Sequence, residues 1–297
     1  MSTANRLLAA QFPQWAGLEI TPVTPSGTDN EMFRLGEDMA LRLPREESAA
    51  THIEKERRWL GVLAPHLPLA IPDQLAVGSP SEILPWSWAV YRWLPGRPAV
   101  PDQLADPARA ARDLGMFVAV LRRVDATGGP PSSPATGSRG RPLGIRDAET
   151  RKAIMKLGSV LDVAAAFAVW EEALAAPVWD TPGVWLHGDL HSGNLLAVAG
   201  HLSAVIDFGL LAVGDPACDL MVAWTLFDAD AREAFRAAAA PDDATWTRGQ
   251  GWALTFAVLN LVSYLGTDLP LVPLSLRALD QLGVARARNS AANAAES

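Results

Sequence analysis

The residue types able to do chemistry cluster in one stretch, Val184 to Asp219, as His187-Gly188-Asp189, Asn194 and Asp207-Phe208-Gly209. The apolar run Val184 to Leu186 stops abruptly at His187, so an extended segment hands a carboxylate to a polar turn. Asn194 follows five positions after Asp189. Two short apolar segments, Leu195 to Val198 and Leu202 to Ile206, flank Ala199-Gly200-His201, a spacing that predicts a tight hairpin. Such a hairpin returns Asp207 to the side of Asn194. A carboxylate and an amide oxygen held together suit a hard divalent cation. A second carboxylate next to them suits a hydroxyl that must be oriented and relieved of its proton.

Protein kinases use the same parts in an H-R-D-x-x-x-x-N loop followed by D-F-G. Here His187 to Asn194 keeps the Asp-to-Asn interval, and Ile206-Asp207-Phe208-Gly209 supplies the second Asp. An isolated Asp beside Gly is most often a turn former. Three elements in this order and spacing are far more specific. With Gly188 where kinases have Arg, and with Gly214-Asp215-Pro216-Ala217-Cys218-Asp219 soon after, the stretch resembles the aminoglycoside phosphotransferase family.

That resemblance implies an α+β, two-lobed protein-kinase-like fold, with an N-terminal antiparallel sheet and one helix, then a mainly helical C-terminal lobe holding a catalytic hairpin. Residues 1–95 would form the first lobe, 96–285 the second, and 286–297 a frayed tail. It further implies transfer of the γ-phosphoryl group of ATP or GTP, with Mg²⁺, to a hydroxyl of a small molecule. Asp189 would be the catalytic carboxylate, Asn194 and Asp207 the metal ligands, and His187 and Asp219 braces of the loop. An aminoglycoside-type or related antibiotic is the leading acceptor. A choline- or homoserine-like metabolite and a nucleotide-binding pseudokinase are the alternatives, and a metallohydrolase built on His187, Asp189, His191 and Asp207 is a rival from another class.

The N-terminal third must supply the nucleotide cover. Glu19 to Val23, Met32 to Leu35 and Met39 to Leu43 read as short strands, and Trp86 to Leu94 as a strong one by its aromatic and β-branched content. By resemblance Ser26, Gly27 and Thr28 cover the phosphates, and Arg42 stands where kinases place Lys. Arg keeps the positive charge but is longer and more directional. Glu46 to Leu63 has helical spacing; Glu56 aligns best as the partner of Arg42, with Glu54 as the alternative. Backbone groups at Arg92 and Leu94 would meet the base.

Beyond Pro95-Gly96 the pattern is mainly helical. Asp106 to Asp125 reads as a helix capped by Asp106 with Pro107 at its first position. Gly128 to Gly144, rich in Gly, Pro and Ser, reads as a mobile loop over the substrate side, and Ala217 to Phe227 as one apolar helix. Asp228, Asp230, Glu233, Asp242 and Asp243 crowd one region; they are either cation-binding carboxylates, as the resemblance implies, or a solvated acidic turn.

Composition bounds the rest. The chain has 297 residues, about half of them apolar, and a formal charge of −8, which argues against a nucleic-acid footprint and slightly favours a cationic small substrate. Its single cysteine, Cys218, excludes an intramolecular disulfide and suits the cytoplasm. No secretion signal is read at the N-terminus, and the longest apolar stretch, Trp252 to Leu265, is too short for a bilayer.

Overall fold

The computed structural model describes residues 2–23, 29–134 and 137–286. Strands β1 (Ile20–Pro22), β2 (Asn30–Leu35), β3 (Met39–Pro44), β4 (Gln74–Gly78) and β5 (Trp88–Arg92) form one antiparallel sheet in the order β1-β2-β3-β5-β4. Side chains alternate across a strand, and β3 divides its residues accordingly. Leu41 and Leu43 join Trp88 and Val90 in a small core against Leu7 and Leu8 of α1 (Thr3–Gln11). Ala40 and Tyr91 belong instead to the main core, with Ile53 and Leu60 of α2 (Glu47–Leu63). Arg42 has the parity of Ala40 and so faces α2. A Cβ on Gly78 would fall 2.0 Å from the indole of Trp88, so glycine is what lets that tryptophan lie flat and buried against β4.

β6 (Arg97–Pro98) carries the chain away from this sheet and pairs with the later hairpin. α3 (Pro107–Leu121) begins as its sequence dictates, with the Asp106 carboxylate accepting the Arg109 N–H at 2.9 Å. Then follow α4 (Asp147–Lys156), α5 (Val163–Ala175), β7 (Val184–Leu186), β8 (Leu195–Val198), β9 (His201–Val205), β10 (Ala212–Gly214), α6 (Val222–Thr225), α7 (Ala229–Ala239), α8 (Asp243–Tyr264) and α9 (Leu271–Gln281). Phe117, Trp170, Trp185, Phe235 and Trp252 fill the core among them. α8 buries residues on nearly every side, as a helix apolar all round must. The architecture is α+β, with the antiparallel sheet in the N-terminal region and helices dominating the C-terminal part.

Two expectations are corrected. The described residues of Gly128 to Gly144 are tied down rather than mobile: the Ser132 N–H donates to Val213 O (3.1 Å), Val213 N–H to Pro130 O (2.8 Å), and Asp215 N–H to Gly140 O (2.8 Å). A Cβ on Gly214 would lie 2.3 Å from Gly140 O. Within the segment, Gly129 and Gly140 serve close approach, a Cβ there falling 2.5 Å from Val213 Cγ2 and 2.2 Å from Ser132 Oγ. Ala217 to Phe227 is also not one α-helix. A 3-10 turn, Pro216–Met221, precedes α6, tightened where Asp215 and Asp219 both bond inward. Among the described residues no helix is long and apolar enough to cross a membrane.

Candidate active site

The hairpin forms because Ala199 (φ 50°) and Gly200 (φ 78°) both adopt left-handed backbone, the twist a two-residue turn needs. It closes on the Ile206 N–H donating to Asn194 O at 2.9 Å, so Asn194 and the residue before Asp207 are locked together. Asp207 itself sits at φ 64°, a strained position for a non-glycine residue of the sort that gathers at functional sites. Its side chain is half exposed and its Oδ1 lies 3.7 Å from Arg42 Nη2.

The loop that carries Asp189 is held from beneath. Asp219, fully buried, accepts the His187 N–H at 2.7 Å and the Gly188 N–H at 2.8 Å. Burial raises the pKa of its carboxyl; His187, Arg139 and these two N–H bonds pull the other way. His187 uses both ring nitrogens structurally: Nε2 meets Ile206 O at 3.0 Å and Nδ1 accepts the Asp189 N–H at 3.2 Å. It has no nitrogen left for a metal. Gly188 has φ 87°, and a Cβ there would stand 2.6 Å from Leu210 O. The Arg of the kinase pattern could not occupy this position.

Asp189 is thus aimed into a cleft with 27% of its side chain exposed. Burial favours its neutral form, but the charges of His191, Arg139 and His187 outweigh burial and hold the carboxyl well below its ordinary range. His191 Nε2 lies 3.4 Å from Asp189 Oδ2 and Arg139 Nη2 lies 3.6 Å from Oδ1. Asn194 Nδ2 donates to Asp189 O (2.9 Å) and Oδ2 (3.2 Å), which leaves its carbonyl oxygen as the amide atom available elsewhere.

The strand cation is fixed equally firmly. Arg42 Nη1 donates to both oxygens of Glu56, at 2.9 and 3.1 Å, and Glu56 is 1% exposed. Tyr91 adds its hydroxyl to Glu56 and is steadied by Gln74 at 3.1 Å. Burial alone would lower the Arg42 pKa, yet Glu56, Asp207 and Tyr91 raise it above the ordinary value. Glu54, the alternative partner, is exposed and pairs with Arg57. Lys55 reaches across to the Gly209 carbonyl at 2.6 Å and fastens α2 to the Asp207 turn.

Two hollows flank these groups, Asn194 bordering one and Asp189 the other, and the bonds from Asn194 Nδ2 to Asp189 tie the two borders together. One, about 370 Å³, lies under β3 and β5 and includes Arg42, Glu56, Arg92, Leu94, Asn194 and Asp207. The Arg92 N–H already donates to Asp73 O (2.8 Å), so a base would meet Arg92 through its carbonyl only. The other, about 240 Å³, is lined by Arg139, Arg146, Asp189, His191, Phe256 and Leu259, among others. A hollow of about 440 Å³ near Pro95 and Gly200 is lined by none of Arg42, Glu56, Asp189, Asn194 or Asp207. Ser26, Gly27 and Thr28 lie outside the described residues.

Sequence reading missed Arg139 and Arg146, and gave His191 a place only in the rival metallohydrolase cluster. Arg139 comes from the Gly- and Pro-rich segment, donates from Nε to Gly188 O at 2.8 Å and is buried. Its only sequence signal was an arginine, with Arg141 two positions on, in a segment rich in small residues. The acidic group after α6 went the other way. Asp228 caps α7 through the Ala231 N–H (2.9 Å), Asp242 caps α8 through the Thr245 N–H (2.7 Å), and Asp243 pairs with Arg236 at 2.6 Å. None of Asp228, Asp230, Glu233, Asp242 or Asp243 lines either hollow.

A sheet over a helical body, with this loop and hairpin at the junction, defines a phosphotransferase of the protein-kinase-like class. Residues 19–252 match the family model described as the phosphotransferase enzyme family, and the chain belongs to that family. No curated protein sequence matches it significantly. Among solved structures, the GDP and kanamycin complex of APH(2")-IIia superposes with a TM-score of 0.71 at 18% identity, over 94% of this chain and 98% of that one. The macrolide 2'-phosphotransferase MphH from Brachybacterium faecium, an apoenzyme, gives 0.60 at 25% identity, over 94% and 96%. The streptomycin-ATP-APH(2")-IIa ternary complex gives 0.59 at 16% identity, over 92% and 93%.

Proposed function

We propose that the protein transfers the γ-phosphoryl group of ATP or GTP to a hydroxyl of a small molecule, with Asp189 as the catalytic carboxylate. The observation that supports this most is that Asn194 and Asp207 border one hollow and Asp189 another, with Asn194 bonded to Asp189 and locked beside Asp207. One hollow is bordered by a buried Arg42–Glu56 pair, the other opens beside Asp189.

In this reading the nucleotide lies under β3 and β5, with its phosphates toward Arg42 and Asp207. Arg42 presents a fixed charge to phosphate oxygens, and Glu56 and Tyr91 keep it from turning away. The donors present fit magnesium: Asp207 offers an exposed carboxylate, and Asn194 an amide oxygen freed by the bonds its Nδ2 makes to Asp189. Magnesium, when bound, neutralises charge on the phosphate oxygens. Asp189 accepts a hydrogen bond from the acceptor hydroxyl and takes its proton as the bond to phosphorus forms. Its low pKa is tolerable because a loose transition state asks little of a base. His187 and Asp219 act only by holding the loop, and among the described residues no group of three or more His, Cys, Asp or Glu side chains could hold a metal as a metallohydrolase would require.

An antibiotic acceptor draws support from the neighbours, which are aminoglycoside and macrolide phosphotransferases. The lone, buried Cys218 is in keeping with a cytoplasmic enzyme. The test is a coupled ADP-release assay of the purified chain over aminoglycosides, macrolides, amino alcohols and hydroxylated carboxylates and phosphates, with Asp189→Ala as control. Acceptor-dependent turnover lost in the variant is expected; equal turnover in the variant overturns the role of Asp189.

A further inference from the structure

The hollow beside Asp189 has a charge pattern that nucleotide binding does not require. Its charged lining is Arg139, Arg146 and Asp189, together with His191. Arg139 and Asp189 face each other at 3.6 Å, so that pair is balanced internally. Arg146 is the second cation. Its guanidinium donates to Gly137 O at 2.8 Å and to Glu149 at 3.1 Å, but Glu149 is itself 64% exposed and only weakly offsets the charge. Its Nε is buried without a hydrogen-bond partner. Both guanidiniums lie near the ring of Trp252, at 5.3 and 5.9 Å from its centroid, which fixes them in place. The rest of the wall is mainly apolar, from Phe256, Leu259 and Leu271, with Asn260 as a polar member. Four carboxylates of this part of the chain are committed elsewhere: Asp228 and Asp242 to helix caps, Asp243 to Arg236, and Asp215 to the buried Arg248 at 2.9 Å.

Resting on the phosphotransfer reading, we propose that this hollow seats the acceptor and that Arg146 selects an alcohol bearing an anionic group, carboxylate or phosphate, beside an apolar flank. A polycation placed here would meet two arginines with one carboxylate, already offset, to balance it. Like charges brought together in a partly dry hollow repel more strongly than in water. An anion gains instead the charge of Arg146 and the remaining N–H groups of its two terminal nitrogens, whose other bonds go to Gly137 O and Glu149, and the apolar wall covers the carbon skeleton.

The test uses the whole chain with a size-matched series, gluconate, sorbitol and glucamine, plus sorbitol phosphate and kanamycin, each titrated calorimetrically at saturating MgATP analogue. Gluconate or sorbitol phosphate should bind at least about tenfold more tightly than glucamine or kanamycin, the worth of one charge-assisted hydrogen bond. The gluconate and sorbitol phosphate arms tell which anion is preferred. Arg146→Glu should erase or reverse the order. Asn260→Asp, which adds a carboxylate to the wall at nearly constant size and leaves both arginines, should shift it the same way. A flat charge series, tightest binding by kanamycin, or an order unchanged in both variants overturns the proposal. If the wild type fails to bind MgATP at all, the phosphotransfer reading falls and takes this one with it; MgATP binding with a flat series removes this one alone.

Discussion

Arg42 and Glu56 meet across the gap between β3 and α2 with one guanidinium nitrogen shared by both carboxylate oxygens, at 2.9 and 3.1 Å, in surroundings that exclude water from both side chains. Such a pair contributes little net stability by itself, but removing one member leaves the other charged and buried. Arg42→Ala should therefore destabilise the protein by about 3–5 kcal/mol. Arg42→Lys should recover part of that and bind nucleotide more weakly than wild type, since one ammonium cannot reproduce the planar fork. Denaturant melts and nucleotide titration of both variants check this; a melt of Arg42→Ala indistinguishable from wild type would refute it.

Asp189 and Asp207 should separate chemistry from binding. Asp189→Ala is expected to lower turnover by about 10²–10⁴-fold, the usual worth of a positioned acid or base, while MgATP still binds. Asp207→Ala should instead weaken nucleotide binding in the presence of Mg²⁺ and leave the small metal-free affinity unchanged. Nucleotide titrations with and without the cation distinguish the two.

Gly188 and Gly61 should respond oppositely to alanine. At Gly188 the backbone has φ 87° and the new Cβ would meet Leu210 O at 2.6 Å, so the loop must shift and carry Asp189 with it. A loss of about 1–3 kcal/mol with a steep fall in turnover is expected. Gly61 lies inside α2 with nothing within 4 Å of the added Cβ, and Gly61→Ala should stabilise by about 0.5–1 kcal/mol with activity unchanged. Thermal melts and rates of the two variants are the comparison.

Cys218 should be silent in the folded protein. Burial pushes its thiol well above the usual range, and the neighbouring Asp219 carboxylate pushes the same way. Since the thiolate is the reactive form, an aromatic disulfide reagent should label the chain only as fast as it unfolds. Labelling of the native protein at the rate of a free thiol would show that this core opens.

The nucleotide side was legible in the sequence because its information is local. The Asp189-to-Asn194 interval and the hairpin through Gly200 fix distances along a few residues, and the backbone closure at Ile206 follows from turn geometry. Asp106 as a cap was readable for the same reason. The resemblance already favoured Glu56 over Glu54, and the rotation of α2 against β3 that brings Glu56 to Arg42 is decided by packing.

By itself, then, the sequence determined the family, the α+β plan and the order of the reacting groups, since these rest on motifs and on periods of two and 3.6 residues. The tertiary structure alone decided that the described residues of Gly128 to Gly144 are strapped to β10, that Arg139 reaches Asp189 from fifty positions away in the chain, and that Asp228 and Asp242 turn into the caps of α7 and α8. Those outcomes depend on long-range hydrogen bonds and close backbone contacts between segments whose own composition is compatible with many arrangements. Charge in the acceptor hollow belongs to this second class, because it is the sum of side chains delivered by separate elements.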